Sequence, residues 1–307
     1  MAGHDTVLLF EYATCTAQEM PPHVAAEGHG MFRTLYQGFE NPLSFYQEPR
    51  YMEVFMEHLS KAAYALAIAP ETDGELYRLT RAIEGSGCEN LGSSAKAVKS
   101  TSDKLLTWKR LRDLSPKTEL LKNGRTALEL PLVAKPRDGV SCEGVMLVED
   151  EKALERIPEG YIVQEYIRGR PMSASILIGD EPRILSINTQ EIVGFQYFGA
   201  TLPVELSHTE PLIEAVERFP GLHGYVGVDF VAAEDGPVVI EINPRPTTPI
   251  IGLKAAFGVN ISELILRSHL GRGIPAMQPQ KKVLVRKRHV KEEGGRPRWT
   301  MEVAPQP

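Results

Sequence analysis

The chain has 307 residues, enough for two or three compact units with a cleft between them. Hydrophobic residues make up 42% and charged residues 24%, and the 26 glycines and 23 prolines follow no period, which excludes a disordered, collagen-like or low-complexity chain. The formal net charge of -6 excludes the global positive field that holds nucleic acid, so any phosphate binding must be local.

The first hundred residues alternate apolar strands with helices. Residues 7–10 predict a short parallel strand, followed by a loop and an amphipathic stretch over about 30–37. A second apolar run at 64–69 precedes a helix that we expect to be capped by Asp73 and to run through Ile83. This alternation is typical of an open parallel sheet. No GxGxxG motif follows the first strand, which argues against a dinucleotide-binding oxidoreductase.

The middle of the chain has a different texture. Residues 100–115 predict a helix with a cap at Thr101, Ser102 or Asp103 that stops before Pro116. Short strands, turns and one short helix then alternate between residues 130 and 167, which predicts a small α+β unit.

From residue 172 onward the pattern predicts an antiparallel sheet. Strands are expected over 175–178, 183–187, 227–232 and 238–242, with a helix near 211–218. The basic segment after residue 279 predicts an edge strand with a frayed tail, in preference to an anion-binding patch. Soft boundaries near 98 and 170 predict three domains, at 1–97, 98–170 and 171–307.

Cysteine usage and apolar runs indicate the compartment. The three cysteines show no metal-ligand spacing, which argues against a disulfide framework or a zinc site; they are Cys15, Cys88 and Cys142. Residues 7–10 are too short for the core of a signal peptide, and charges interrupt the longest apolar segment, 249–270. We therefore expect a soluble, cytoplasmic protein that binds neither nucleic acid nor a membrane.

The most informative segment is GVDFVAAEDGPVVIEINPRP, residues 227–246. In a hairpin, Asp229 lies on the first strand, while Glu241 and Asn243, two residues apart, point to one face of the second. Such oxygens are the ligands Mg²⁺ takes when it is shared with nucleotide phosphates. Arg245 follows, suited to a phosphoryl oxygen or a carboxylate. The alternative is an acidic hairpin with an Asn-Pro turn, but burying these acids without a cation would be unfavourable.

The second segment is VAKPRDGVSCEG, residues 133–144. Lys135 ends an apolar strand, and Gly139 and Gly144 bracket a turn that contains Ser141. Backbone N–H groups of such a turn can fold over phosphates while the lysine ammonium neutralises them. An ordinary hairpin with a strand-end lysine remains the alternative.

The third segment is YIVQEYIRG, residues 161–169. An apolar strand presents Gln164, Glu165, Tyr166 and Ile167 before a glycine. The backbone of a strand that leaves one domain for another can bind an adenine edge while apolar side chains cover the ring. The alternative is a plain interdomain strand.

In this order, the segments over roughly residues 98–250 resemble the ATP-grasp family. The resemblance implies an α/β plus α+β fold with an N-terminal open parallel sheet, a small central lid and a C-terminal antiparallel sheet. It also implies that ATP activates a substrate carboxylate for attack by an amine. For the nucleotide, it implies that Lys104, Lys135, Gly139, Ser141 and Gly144 bind the phosphates and that Gln164, Glu165, Tyr166 and Ile167 bind adenine. The metal ligands, for Mg²⁺ or Mn²⁺, would be Asp229, Glu241 and Asn243. Arg245 would face the reacting phosphoryl group, and Arg245 and Lys135 would be the catalytic residues.

One position departs from that family. A ribose-binding Glu often follows the hinge, whereas this chain has Pro171 there, so the ribose contact is left unassigned.

Within the family, LLFEYATC, EGHGMFRTL and SINTQ resemble archaeal-type carboxylate–amine ligases of methanofuran biosynthesis. This implies a glutamate-like acid and an arylalkylamine such as tyramine as substrates. Glu11, Tyr12, Asn188 and Gln190 are candidate substrate contacts, with strand-end solvation and sheet-face polarity as the alternatives. Aromatic residues of the first domain could stack on an aryl ring but are more typical of a core: Phe32, Tyr36, Phe39, Phe45 and Tyr46.

Two further sites are set aside. His23 and His29 are six residues apart with no third ligand, which favours solvent-exposed loop histidines. Cys142 has no neighbouring base or helix N-terminus to activate it.

The sequence therefore predicts an ATP-dependent carboxylate–amine ligase that uses no protein nucleophile, acts on small molecules and is a candidate homo-oligomer. Two alternatives are kept: a kinase-like enzyme of the same fold that phosphorylates a small molecule, and a nucleotide-binding module without turnover. The three metal-ligand candidates count against the module, because a pure binder needs fewer.

Overall fold

The N-terminal part of the protein is a parallel sheet between helices. The computed structural model describes residues 6–138, 144–290 and 298–306. Its first elements are β1 (Val7–Glu11), α1 (Tyr12–Cys15), α2 (Pro22–Tyr36), β2 (Pro42–Leu43), α3 (Tyr51–Leu59), β3 (Tyr64–Ile68), a 3₁₀ turn (Thr72–Gly74), α4 (Glu75–Ser86), β4 (Glu89–Asn90) and α5 (Ala95–Ser102). The strands pair in parallel in the order β2-β1-β3-β4, which confirms the predicted open parallel sheet.

The central part is a small antiparallel sheet with its own core. Its elements are α6 (Lys104–Arg110), β5 (Thr118–Leu120), β6 (Leu132–Pro136), β7 (Met146–Val148), α7 (Glu151–Leu154) and β8 (Tyr161–Glu165). The strand order is β5-β8-β6-β7. Leu132, Val148 and Val163 are fully buried beneath it.

The C-terminal part contains two antiparallel sheets. Its elements are β9 (Arg170–Ile178), β10 (Pro182–Thr189), β11 (Glu191–Val193), β12 (Gln196–Leu202), α8 (Glu210–Glu217), β13 (Gly224–Ala233), β14 (Gly236–Asn243), α9 (Ile250–Phe257), α10 (Ile261–His269), β15 (Val283–Val290) and β16 (Arg298–Pro305). One sheet has the order β10-β9-β13-β14 and the other β11-β12-β15-β16.

The N-terminal sheet shares a core with the C-terminal part. Its alternate residues Leu9 and Leu66 pack in one cluster with Leu253 of α9, Ile265 of α10 and Val285 of β15. The opposite face of the same sheet packs against α3 and α4. The first and last thirds of the chain are therefore held together by apolar burial, and the three-domain division at 97 and 170 stays a prediction.

Helix boundaries differ from the prediction in three places. The amphipathic helix α2 begins at Pro22 rather than near Gly30, because a proline fits the first turn of a helix. Asp73 does not cap α4; it lies in the 3₁₀ turn at φ 55°, and α4 begins after left-handed Gly74. The single helix expected over 100–115 is two helices, which meet where Asp103 breaks the first and caps the second.

The C-terminal segment also differs. Instead of ending in a frayed tail, the described residues beyond 297 form β16, which pairs with β15 along its whole length and packs against α2. Hairpin pairing and this packing order a segment whose proline content had suggested disorder. In the described part of the chain, no helix combines the length and the apolarity that a membrane crossing requires.

Candidate active site

One cavity of about 560 Å³ lies where the N-terminal sheet, the central sheet and both C-terminal sheets meet. The predicted hinge lines one part of it, and residues of α2 and of the C-terminal strand β15 line another. The predicted lysines, carboxylates and arginine also lie in its wall. The described members of three separate sequence motifs are thus brought into one space.

The candidate metal ligands lie on two neighbouring strands. Asp229 of β13 is directly opposite Glu241 of β14, and a β-bulge follows Asp229. Bulges near active sites re-aim side chains. Asn243 lies farther along β14, opposite Gly227, and its Nδ2 donates a hydrogen bond to Asp229 Oδ2 over 3.1 Å. The structure therefore brings all three predicted ligands together.

These residues fit a divalent cation. Like charges directly opposite one another destabilise a sheet, and burial together with the Glu241 charge raises the pKa of Asp229 to about 7. A cation with hard oxygen ligands removes that repulsion. Among the described residues no group of three His, Cys, Asp or Glu side chains is placed to hold a metal; a cation bound here would need an oxygen from a residue of another type, and the Asn243 amide is in place to offer one.

The two predicted phosphate lysines are positioned by one clamp. Asp103 caps α6 through the N–H groups of Leu105 and Leu106. Its carboxylate also accepts hydrogen bonds from Arg137, with Nε 2.9 Å from both oxygens, just beyond the end of β6. The clamp fixes α6, which begins with Lys104, to β6, which carries Lys135. Lys104 Nζ lies 3.4 Å from Glu241 Oε1, so this lysine, which a helix N-terminus disfavours, has a candidate metal-ligand carboxylate as a partner.

The predicted hinge ends the strand β8. Gln164, Glu165, Tyr166 and Ile167 all line the cavity. The Gln164 side chain donates to Thr118 Oγ1 over 2.8 Å, so its amide N–H is already engaged within the central sheet. Apolar side chains for the faces of a ring come from both sides, including Val133, Leu147 and Ile240.

The predicted phosphate loop is only partly described. Gly139, Ser141 and Cys142 lie outside the described residues. Gly144 has φ +70°, and a side chain there would collide with the Tyr161 hydroxyl and Pro136. A glycine is therefore required at the point where the loop rejoins β7.

Arg245 is held from the N-terminal part of the chain. Its Nε and Nη2 donate to the two carboxylate oxygens of Glu71, over 2.9 and 3.0 Å. Nη1 donates to the Pro246 carbonyl over 3.2 Å. Arginine has five N–H donors, so the two left over by these contacts are available to an anion in the cavity. Arg245 and Glu71 side chains are only 14% and 6% exposed.

Glu11 is a fixed carboxylate in the cavity wall. It caps α1 by accepting hydrogen bonds from the N–H groups of Ala13 and Thr14 and from the Thr14 hydroxyl. Burial raises its pKa. A side chain at Gly28 of α2 would overlap Glu11 Oε1, so the glycine in EGHG makes room for this carboxylate.

The other three candidate substrate contacts differ in whether they line the cavity. Gln190 Nε2 donates to Asp229 Oδ1 over 2.8 Å and lines the cavity. Asn188 is fully buried and bonds to Ser173, Ser175 and Ser186, which is the sheet-polarity alternative. Tyr12 lines the cavity wall.

The five N-terminal aromatic residues are not among the described residues that line the cavity. Phe39 is in the core, Phe32 stacks on Tyr36, and Tyr46 is exposed. The described aromatic side chains on the cavity wall are instead Tyr12, Tyr166, Phe195, Tyr197 and Phe230. The expectation of exposed loop histidines was also wrong for His23, which lies in α2 and lines the cavity, whereas His29 is exposed but helical.

Comparison with known proteins identifies the family of the chain. The family model of the ATP-grasp domain matches residues 101–249, and that of the pre-ATP-grasp domain matches residues 37–98. The tyramine–L-glutamate ligase of Methanocaldococcus jannaschii is 31% identical over 85% of this chain and 88% of its own. The chain belongs to the ATP-grasp family.

Solved structures extend the likeness to the whole ATP-grasp chain. The crystal structure of an ATP-grasp superfamily protein from Archaeoglobus fulgidus has a TM-score of 0.82 and 32% identity, covering 98% of this chain and 99% of its own. An L-amino acid ligase from Bacillus licheniformis has a TM-score of 0.70 at 16% identity, covering 92% and 79%. The second likeness shows the fold alone. The predicted family and fold class are confirmed.

Several residues of this ATP-grasp chain that line the cavity, or that bond to the elements around it, were not predicted from the sequence. Glu71 and Arg137 are ordinary loop charges until the fold gives them partners. The hairpin β11–β12 turns at Gly194 and Phe195, both with positive φ, and a bulky residue is unusual there. Glu27 and Lys287 meet across the cavity wall from opposite ends of the chain. A useful signal was the pair of glycines in EGHG, which marks a close approach on α2.

Proposed function

We propose that the protein is an ATP-dependent carboxylate–amine ligase. The observation that carries the proposal is the single cavity that runs from the hinge, past the lysines and the metal-ligand candidates, to a second end walled by α2 and β15. A nucleotide occupies the first end, and the second end leaves room for acid and amine beside its terminal phosphate. The named ligases among the relatives support the same class.

The protein groups act on the nucleotide through position and charge. Lys104 and Lys135 neutralise the phosphates, and the predicted loop with Gly139, Ser141 and Gly144 covers them. The hinge from Gln164 to Ile167 binds adenine. Preorganised cations stabilise charge that spreads over a transferring phosphoryl group. Arg245 is such a cation, because Glu71 of the N-terminal part holds its guanidinium in place.

A divalent cation at Asp229, Glu241 and Asn243 supplies charge neutralisation at the phosphate oxygens when it is bound. We propose Mg²⁺, with Mn²⁺ as the alternative that accepts the same oxygen ligands. In the proposed reaction ATP phosphorylates the substrate carboxylate, and the amine displaces phosphate to form an amide. Exclusion of water protects the activated acid, and the central sheet over Val133 and Leu147 provides that cover.

The proposed substrates are L-glutamate and tyramine. The support is the likeness to the archaeal ligase that carries those names, and a second end of the cavity with both charged and aromatic walls. Glu27 and Lys287 provide charges for an amino acid, and Tyr12 and Phe195 provide ring faces for an aryl group.

The organisation and setting of this enzyme remain predictions as well. We propose domains at 1–97, 98–170 and 171–307, a cytoplasmic location and a homo-oligomer.

Product analysis tests the function. ADP release is measured across amino acids crossed with amines, with mass spectrometry of the products and Mg²⁺ or Mn²⁺ as the only divalent cation. We expect an amide, ADP and phosphate only when L-glutamate and tyramine are both present. Amide formation with other amines but never with tyramine would contradict the proposed substrates and would still support a carboxylate–amine ligase. A phosphorylated product without amide supports the kinase alternative, and nucleotide binding without turnover supports the binding module.

A further inference from the structure

An ion pair closes the second end of the cavity. Glu27 of α2 and Lys287 of β15 both line the wall, with Lys287 Nζ 2.6 Å from Glu27 Oε1. The two side chains are only 15% and 5% exposed, respectively. Both residues lie outside the two segments, 37–98 and 101–249, that match the family models. The pair therefore lies outside the parts of the chain that match the shared family models, which contain the proposed nucleotide site.

The pair has further polar partners. The Thr248 hydroxyl donates to Glu27 Oε2, so both carboxylate oxygens are engaged on one side. Lys287 Nζ lies 5.5 Å from the centre of the Tyr197 ring, a cation–π contact. An ammonium has three donors, and the pair with Glu27 uses one of them.

The Tyr197 hydroxyl points to a missing ligand. It is buried and has no hydrogen-bond partner among the described residues, although Tyr197 itself lines the cavity. Burial raises its pKa well above the ordinary value, so the hydroxyl keeps its proton and remains a donor. A buried hydroxyl without a partner is unfavourable and rare in native structures.

Stability alone does not explain this cluster. Replacing a buried ion pair by apolar residues of similar size is often neutral or stabilising. The cluster combines such a pair with a buried, unpartnered hydroxyl, and all three residues line the cavity. Groups that oppose stability in this way are typical of binding sites, where a ligand satisfies them.

The cluster is also close to the reacting centre. The loop from Asn243 to Thr248 connects the metal-ligand strand to the partner of Glu27, and five residues of chain span at most about 18 Å. Arg245 lies on that loop. A small molecule in this part of the cavity is therefore near both groups.

We propose that Lys287 and Glu27 bind the carboxylate and the ammonium on the α-carbon of an amino-acid substrate, an inference that rests on the proposed ligase function. A zwitterion laid beside the pair places each of its charges against the opposite protein charge, and the total charge of the site does not change. The Tyr197 hydroxyl donates to the substrate carboxylate. Bound in this way, the amino acid is held by its α-carbon and presents its side-chain carboxyl group to the phosphate end.

The competing explanation is a structural clasp. The pair also ties β15 to α2, and the hairpin of β15 and β16 packs on that helix. A clasp affects unfolding and all ligands alike. In a recognition site, by contrast, loss of one residue weakens only those ligands that carry the group bound by that residue.

Calorimetric titration separates the two. The protein, with Mg²⁺ and a non-hydrolysable ATP analogue, is titrated with L-glutamate, with glutarate, which lacks the α-ammonium, and with 4-aminobutyrate, which lacks the α-carboxylate. We expect wild type to bind L-glutamate at least ~10-fold more tightly than either analogue, as for charge-assisted hydrogen bonds. Lys287→Met weakens L-glutamate and glutarate ~10-fold but leaves 4-aminobutyrate unchanged, and Glu27→Gln weakens L-glutamate and 4-aminobutyrate but not glutarate.

The control is Arg288→Met, the next residue of β15, whose exposed side chain pairs with Glu302; it should bind all three ligands as wild type does. Equal weakening of all ligands by both variants, no change in either variant, or no binding of L-glutamate to wild type overturns the proposal. ADP release, measured on the same samples, tests the ligase function independently of the binding site. Ligand-selective losses without any turnover would refute the function and leave the binding site standing.

Discussion

The two ends of the cavity are built in different ways. The proposed nucleotide end is made from α6, which carries Lys104, and from strands β6, β8, β13 and β14, whose candidate residues fall in three short sequence segments. The proposed substrate end joins α2 to β15, where Lys287 meets Glu27. The proposed nucleotide site is thus encoded mostly by local sequence, whereas the proposed substrate surface is assembled by the packing of the first third of the chain on the last.

The largest expected effect is at the metal ligands. Asp229→Asn, Glu241→Gln and Asn243→Ala should each lower turnover by at least ~100-fold, because phosphoryl transfer depends on positioning and electrostatics. Asp229→Asn and Glu241→Gln keep the side-chain size and remove one of two facing like charges, so their melting temperatures should not fall appreciably. Steady-state ADP release and thermal unfolding measure the two effects. Wild-type ADP release from all three variants would contradict the assignment.

Glu71→Gln tests the link between the two ends. It leaves the Arg245 guanidinium with a neutral partner, so the unfolding free energy should fall by about 3 kcal/mol, as when a buried ion pair is broken, and kcat should fall ~10-fold. Denaturant titration and steady-state kinetics provide the measurements. The control is Glu57→Gln, which removes an exposed pair with Lys61 and should change little. Equal behaviour of the two variants would show that Glu71 does not position Arg245.

Lys104→Ala perturbs the nucleotide end alone. The lysine is at the first turn of a short helix, and its nearly buried side chain carries the charge that we assign to the phosphates, so we expect the KM for ATP to rise ~10-fold with the KM for the acid unchanged. Lys109→Ala, exposed on the same helix, is the matched control. An unchanged or lower KM for ATP in the first variant would remove Lys104 from the phosphate site.

Gly28→Ala perturbs the substrate end alone and should have the smallest effect. Its new methyl group displaces the Glu11 carboxylate, which weakens the cap of α1 and costs about 1 kcal/mol. The KM for the acid should rise a few-fold while the KM for ATP is unchanged. Gly85→Ala, in open space on α4, should instead stabilise the protein by about 0.5 kcal/mol. A change in the KM for ATP alone would contradict the placement of Gly28 at the substrate end.

The sequence was sufficient for the locally encoded end. Hydrophobic alternation predicts β13 and β14, and a two-residue spacing puts Glu241 and Asn243 on one face. It was insufficient for Lys287, which is one of several basic residues in a row, and for Glu27, whose position is already accounted for by an amphipathic helix. Their meeting depends on long-range packing, which no local pattern records. The β11–β12 hairpin was missed for a different reason, because Phe195 occupies a turn position that favours small residues.

The central claim is that the cavity activates a carboxylate for attack by an amine. It is tested by supplying L-glutamate labelled with ¹⁸O in its carboxyl groups together with tyramine, ATP and Mg²⁺, and by measuring the label in the phosphate released. If the carboxylate is phosphorylated and then displaced, each phosphate carries one labelled oxygen from the acid, in step with the amide formed. Unlabelled phosphate, with all label retained by the acid or amide, would contradict the account.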